Sequence, residues 1–220
     1  MRVIAIDGPA GSGKSTVARA LAAHLGLRYL DTGAMYRAVA FAVLRSGGAP
    51  EDAAATAATA RRVDLDIGLD AVIVDGVDAT VEIRGPEVSR AVSVVAANPE
   101  VRKELVSRQR EWANRHGGGV LEGRDIGTVV FPDAELKVYL TADPEERARR
   151  RAKEVTDLDY ETVAADIARR DAADTSRATD PLVEAADATV VDTTGLDIGQ
   201  VVDHITTLFD ASTDPTSEEG

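Results

Sequence analysis

The first sixteen residues constrain the fold more than any other stretch of the chain. Arg2-Val3-Ile4-Ala5-Ile6-Asp7 is a short apolar run of strand type. It passes directly into Gly8-Pro9-Ala10-Gly11-Ser12-Gly13-Lys14-Ser15-Thr16 and then into the helical spacing Val17, Leu21, Leu25. Strand, glycine-rich loop and helix form the context in which the pattern G-x-x-x-x-G-K-[ST] holds a polyphosphate. Gly8, Gly11 and Gly13 let backbone N–H groups curl around phosphate oxygens with no Cβ in the way. Lys14 brings a point charge to the outer phosphates. The Ser15 hydroxyl can ligate Mg²⁺, and the positive end of the following helix faces the same anion. Residues 8–16 are therefore expected to bind a nucleoside triphosphate or a similar ligand.

A chain of 220 residues, 44% apolar and 29% charged, suits one domain with a continuous core. No stretch approaches the ~20 apolar residues needed to cross a membrane, and the opening strand leaves no signal peptide to expect. The absence of cysteine excludes disulfides and thiolate metal sites. A cytoplasmic enzyme is the simplest expectation, and a monomer. The net charge of −13 argues against non-specific binding to nucleic acid, so cations that meet an anionic ligand must be concentrated locally. Arg124, Arg147, Arg149, Arg150, Arg151, Arg169, Arg170 and Arg177 lie in motif-bearing segments. Only four of the 25 cationic residues are lysine, so an arginine is informative here only where its context is.

Further along, Leu27–Leu30 reads as a strand, residues 34–46 as a helix, and Glu51–Arg62 as a short alanine-rich helix. Val63–Ile67 alternates, and Val72-Ile73-Val74 and Ala79-Thr80-Val81 flank Asp75-Gly76, predicting a small antiparallel sheet. Pro86–Ala97 suggests one or two short helices, and Asn98-Pro99 starts a long one to about His116. Strands are predicted from Val120 and over Leu136–Leu140 and Thr189–Asp192, with helices from Pro144, over Tyr160–Ala173, and from Asp197 to Phe209. Strands alternating with helices predict an α/β fold, a parallel sheet covered on both faces, with ligands at the carboxyl ends of its strands. Gly8–Thr16, Asp31–Arg37 and Gly123–Gly127 all fall there. Residues 211–220, polar and acidic, are expected to be disordered.

Beyond the loop, three segments are specific: Asp31-Thr32-Gly33-Ala34-Met35-Tyr36-Arg37, Glu122-Gly123-Arg124-Asp125-Ile126-Gly127-Thr128-Val129-Val130-Phe131-Pro132-Asp133, and Arg170-Asp171-Ala172-Ala173-Asp174-Thr175-Ser176-Arg177. With residues 8–16, and in this order, they resemble the bacterial cytidylate kinases. The resemblance implies a P-loop nucleoside-monophosphate kinase over residues 1–220, with a monophosphate-binding insertion at about 33–97 and a helical lid at about 145–180. It implies transfer of the γ-phosphoryl group of ATP to CMP and dCMP, with Mg²⁺.

Such a reaction needs no strong base, because the acceptor phosphate is already a nucleophile; positioning and matched cations carry it. His24, His116 and His204 lie away from every motif and are given no role. By resemblance, Lys14, Arg124 and Arg177 are catalytic, and Gly8, Pro9, Ala10, Gly11, Ser12, Gly13, Lys14, Ser15 and Thr16 bind ATP. Thr32, Arg37, Ser93, Arg102, Arg124, Asp125, Arg170, Asp174 and Arg177 bind the acceptor. Arg37, Arg124 and Arg177 would hold its phosphate and Arg170 and Asp174 its ribose, while Asp125 would accept from the cytosine amine. Arg102 would donate to the cytosine carbonyl and ring nitrogen; by spacing alone it is a helix-surface charge. Arg170 and Asp174, four apart, equally suit an ion pair along one helix. Thr32 stands where the family often has serine and keeps the hydroxyl. The metal would be held by phosphates, water and Ser15, with Asp7, Asp31 and Asp125 close by. A P-loop kinase with another acceptor is the nearest alternative. A guanine-specific switch would carry an Asn-Lys-x-Asp segment, which does not occur.

Overall fold

The computed structural model describes residues 1–154 and 159–213. The expected lid and tail extend over 155–158 and 214–220, which lie outside the described residues. In chain order the elements begin with β1 (Arg2–Asp7), α1 (Lys14–Leu25), β2 (Tyr29–Asp31), α2 (Thr32–Arg45) and α3 (Ala53–Arg62). Then come β3 (Leu65–Ile67), β4 (Val72–Val74), β5 (Val77–Asp78), α4 (Pro86–Ala97) and α5 (Pro99–His116). The last are β6 (Gly118–Gly123), β7 (Leu136–Thr141), α6 (Pro144–Glu154), α7 (Tyr160–Ser176), β8 (Thr189–Asp192) and α8 (Ile198–Thr213). Two compact units result: Met1–Tyr29, Ala113–Ser176 and Asp180–Gly220 form the first, Leu30–Trp112 and Arg177–Thr179 the second.

The sheet runs β2-β6-β1-β7-β8, and the chain leaves the first unit within β2. β6, β1, β7 and β8 are parallel, with Ile4 opposite Val120 and Leu136, and Val138 opposite Thr189. Alternation along these strands sends Ile4, Ile6, Val120, Val138 and Leu140 to one face. There they pack with Val17, Ala18 and Leu21 of α1 and with Val201, Ile205 and Phe209 of α8. Asp7 is level with Gly123 and Tyr139, so the glycine-rich loop, the turn after β6 and the segment after β7 leave the sheet at one edge.

Local chemistry explains where the elements differ from expectation. β2 begins later than Leu27, because the left-handed Gly26 and the Leu27 N–H, which donates to the Ala22 carbonyl (2.8 Å), still belong to the end of α1. α2 begins at Thr32 rather than 34, because Asp31 caps it, accepting from the Ala34 N–H at 2.8 Å. At α8, Asp197 accepts from the Gln200 N–H while Gln200 accepts from the Asp197 N–H, a reciprocal cap. That helix continues past Phe209 through residues 210–213 and takes in part of the expected tail.

In the second unit, β3, β4 and β5 form the small antiparallel sheet, with Leu65 opposite Val74 and Val74 opposite Val77. Asp75 and Gly76 turn the β4–β5 hairpin with φ of 48° and 75°. The returning strand is Val77–Asp78, not Ala79–Val81. Asp78 accepts from the Thr80 N–H (3.0 Å) and hydroxyl (2.5 Å), bending the chain away from the sheet.

Candidate active site

The glycine-rich loop begins where β1 ends, and close packing of backbone on backbone fixes its entry. A Cβ on Gly8, whose φ is 151°, would lie 2.0 Å from the Leu140 carbonyl oxygen, so no other residue fits there. Gly13 caps α1 in a left-handed conformation, and Lys14 is the first residue of the helix. The Lys14 side chain turns back into the loop, and its Nζ donates to the Pro9 carbonyl at 2.6 Å and the Ser12 hydroxyl at 3.3 Å. Only 5% of the residue is exposed. Burial pushes its ammonium down to about 7, with Arg124 adding to the fall and Glu122 opposing it. Ser15 and Thr16, next on the helix, are exposed.

Asp7 stands just before this loop and braces a second one. Its carboxylate accepts from the Ile126 N–H at 2.8 Å and the Gly127 N–H at 2.7 Å. These donors belong to a wide turn over Ile126–Val130, in which the Phe131 N–H reaches the Ile126 carbonyl. Burial raises the Asp7 pKa to about 6, the two backbone donors limit the rise, and nearby Asp125 adds to it. Asp7 thus fixes the backbone that immediately follows Arg124 and the buried Asp125.

Arg124 donates through Nε to Asp174 at 2.7 Å and through Nη1 to the Gly123 carbonyl. Burial alone would depress its pKa, but Asp174 and Glu122 outweigh that and hold it up. Arg170, on the same helix as Asp174, falls to about 10 through burial first and the charge of Arg124 second. Lys14, Arg124 and Arg170 therefore form one cationic group at the carboxyl edge of the sheet. Asp174 lies on one helix with Arg170, as the spacing suggests, and it binds an arginine 50 positions earlier in the chain.

The second unit carries the other predicted site residues. Arg37 donates through Nη1 to the Ile83 carbonyl and the Ser89 hydroxyl, both at 3.0 Å. Arg102, a surface charge by spacing alone, is 1% exposed; it donates to the Ala96 carbonyl and its guanidinium lies 5.5 Å from the Tyr36 ring centre. Thr32 is buried in the first turn of α2. Ser93 is half-buried on α4, one turn beyond Ser89. Arg177, also half-buried, belongs to this unit despite its distance in sequence.

Sequence reasoning missed several residues. Glu122 is buried and accepts from the Tyr29 hydroxyl at 2.7 Å, facing the charges of Lys14 and Arg124. Ser89 holds Arg37, and Arg84 bonds the helix cap Asp31 at 3.3 Å. Of the arginines after Pro144, Arg149 pairs with Glu146 at the surface. Arg147 and Arg150 instead reach loop carbonyls, those of Ala10 and Ser12 respectively. Arg150 also donates to the Thr193 hydroxyl and carbonyl, both at 2.8 Å. The one readable signal was a run of arginines opposite a glycine-rich loop; which of them turned inward was not in it.

The family profile described as "Cytidylate kinase" matches residues 4–211. A cytidylate kinase of Desulfitobacterium hafniense (strain Y51) is 52% identical over 213 residues, covering 94% of this chain and 91% of that protein. One from Mycolicibacterium paratuberculosis (strain ATCC BAA-968 / K-10) is 51% identical over 215 residues, covering 94% of each. Among solved structures, a shikimate kinase from Acinetobacter baumannii in complex with shikimate has a TM-score of 0.51 at 17% identity. That likeness covers 97% of this chain and 95% of the other and is one of fold alone. A parallel sheet with a glycine-rich loop at its carboxyl edge, and a family match over nearly the whole chain, lead to one assignment: the chain belongs to the cytidylate kinase family.

Proposed function

We propose that this protein transfers the γ-phosphoryl group of ATP to CMP and dCMP, releasing ADP and CDP or dCDP. An oxygen of the acceptor phosphate attacks the γ-phosphorus and the bond to the β–γ bridging oxygen breaks, leaving ADP. Neither step needs a base of high pKa, so the work falls on charge and alignment. The observation that carries the reading is the grouping of Lys14, Arg124 and Arg170 at the loop edge of the sheet, in a chain whose net charge is −13. A net-acidic protein that concentrates buried cations at one edge is arranged for an anion.

In this reading Gly8–Thr16 hold the triphosphate of ATP, and Lys14 follows the phosphoryl group as charge moves toward the leaving oxygen. Arg124 and Arg177 meet the transferring group, and Arg37 holds the acceptor phosphate. Asp125, Ser93 and Arg102 read the cytosine, Arg170 and Asp174 the ribose, and Thr32 adds a hydroxyl near the acceptor. Residues 33–97 would form the monophosphate-binding part and 145–180 the lid. Ser15 would help to hold a Mg²⁺ ion bound with ATP, which would supply positive charge to the phosphates. Among the described residues no three His, Cys, Asp or Glu side chains converge on a metal position. The exposed Ser15 hydroxyl beside the loop suits a cation that takes its other ligands from phosphate and water. We infer a monomer acting on soluble nucleotides in the cytoplasm.

The test is ADP release measured with a panel of monophosphates. Turnover on CMP and dCMP well above that on AMP and GMP is expected. Turnover on AMP or UMP with none on CMP would overturn the assignment.

A further inference from the structure

One residue of the glycine-rich loop, Ala10, is gripped at both its backbone N–H and its carbonyl by a single ion pair. The Ala10 N–H donates to Asp171 Oδ1 at 2.9 Å, and the Ala10 carbonyl accepts from Arg147 Nη1 at 3.0 Å. Arg147 and Asp171 also bond to each other, which closes the ring. Arg147 Nε donates to the Ala142 carbonyl at 3.2 Å, tying the ring to the chain just beyond β7. The Ala10 methyl is buried with Ala148 of α6 and with Val163 and Ile167 of α7. A Cβ on Gly11 would meet the Arg147 carbonyl oxygen at 2.9 Å, so α6 lies directly on the loop.

Two consequences follow for a loop that must aim N–H groups at phosphate. The Ala10 N–H points to Asp171, which leaves the cradle to the groups from Gly11 onward. The bracket also fixes the rotation of α7. Residues 170, 171 and 174 lie on one side of that helix. With Asp171 on Ala10, its neighbours Arg170 and Asp174 reach the cationic group and Arg124. Charge-assisted bonds of this kind are stronger than neutral ones, and partial burial of both partners shields them from salt.

We propose that Arg147 and Asp171 are positioning residues for phosphoryl transfer: together they hold the Ala10 peptide and set the shape of the donor loop and the placement of Arg170 and Asp174. The proposal rests on the donor role of the loop but not on the identity of the acceptor. Equilibrium binding of a fluorescent ATP analogue therefore reads it even if CMP is not the substrate.

Asp171→Asn keeps the shape and one acceptor but turns an amide donor toward Arg147. Binding of the analogue and the KM for ATP should each weaken roughly 10- to 100-fold, the size expected for a lost charged hydrogen bond. kcat should fall as well, and the Kd for CMP, whose ribose Arg170 and Asp174 would meet, should weaken by a smaller factor, roughly two- to fivefold. Adding Arg147→Gln to Asp171→Asn gives a neutral bracket with matched donors and acceptors, and it should restore part of the ATP affinity lost in the single variant. Asp171→Glu is the milder second variant, should the first not fold. Wild-type ATP binding in Asp171→Asn would overturn the proposal. So would equal loss of ATP and CMP binding, or a double variant whose losses simply add.

Discussion

Lys14 and Asp7 show how burial sets chemistry one side chain at a time. With its ammonium depressed to about 7, Lys14 is largely neutral in the free protein at pH 8 and largely charged at pH 6. A triphosphate laid against it favours the charged form. ATP binding should then take up about 0.9 proton at Lys14 at pH 8 and about 0.1 at pH 6. Calorimetry in buffers of different ionisation enthalpy reads this as the difference between wild type and Lys14→Arg, whose side chain is charged throughout. Equal uptake by the two proteins would contradict it. Asp7 has the opposite problem, a carboxylate buried at about pKa 6 against an ordinary 3.8. Its folded-state pKa is the higher, so its stabilising contribution is complete below about pH 4 and is lost as pH rises through about 6. Asp125 and Lys14 are the charged groups that act on it. Asp7→Asn cannot titrate, so the stability gap favouring wild type should shrink between pH 4.5 and pH 7 in urea unfolding. A gap that widens would show the carboxylate to be better held charged than neutral.

Among the elements, the junction of β1 and β6 has the least freedom. Gly118 opens β6 with φ of 119°, and a Cβ there would lie 2.0 Å from the Arg2 carbonyl oxygen. Gly118→Ala must either strain that backbone or push the strands apart at their first paired residues. A loss of roughly 2–4 kcal/mol is expected, lowering Tm by roughly 5–15 °C; calorimetric melting would show it. An unchanged Tm would mean that the strands separate there freely. Elements such as β1, the loop and α1 were legible in the sequence because every signal that makes them lies within one continuous stretch, residues 2–25. The same holds for the cap Asp197, whereas Asp31 reads as a strand end and caps α2 in the structure. What sequence reasoning could not recover was which distant partner wins. Asp174 has Arg170 four positions away on its own helix, but its bond to Arg124 was invisible in the spacing, because β6 delivers that guanidinium to the helix face. Arg102 looked like one more exposed arginine until the second unit closed over it. Val77–Asp78 displaced Ala79–Val81 as a strand through a side-chain turn that hydrophobic periodicity does not register.

For the molecule as a whole, the consequential fact is the division of labour. The glycine-rich loop, Lys14, Arg124, Asp125, Arg170 and Asp174 belong to the first unit, and Arg37, Ser89, Ser93, Arg102 and Arg177 to the second. Each set is held by bonds within its own unit: Lys14 by loop acceptors, Arg37 by Ile83 and Ser89. Removing Lys14 or Arg37 should mainly affect the nucleotide that each would hold, because the acceptors named for the two side chains differ. Lys14→Met should cut turnover roughly 100-fold or more while the Kd for CMP changes less than about threefold. Arg37→Gln should weaken CMP roughly 10- to 100-fold and leave binding of an unreactive ATP analogue unchanged. Ser89→Ala removes one of the two acceptors that hold Arg37, so it should lie in the same direction with a loss of only about three- to tenfold. Titrating each variant with each nucleotide by calorimetry resolves all three effects. If Lys14→Met and Arg37→Gln weakened both ligands alike, the two sets would form one interdependent network. The double variant would then lose less than the sum of the singles, whereas independent sets require the losses to add.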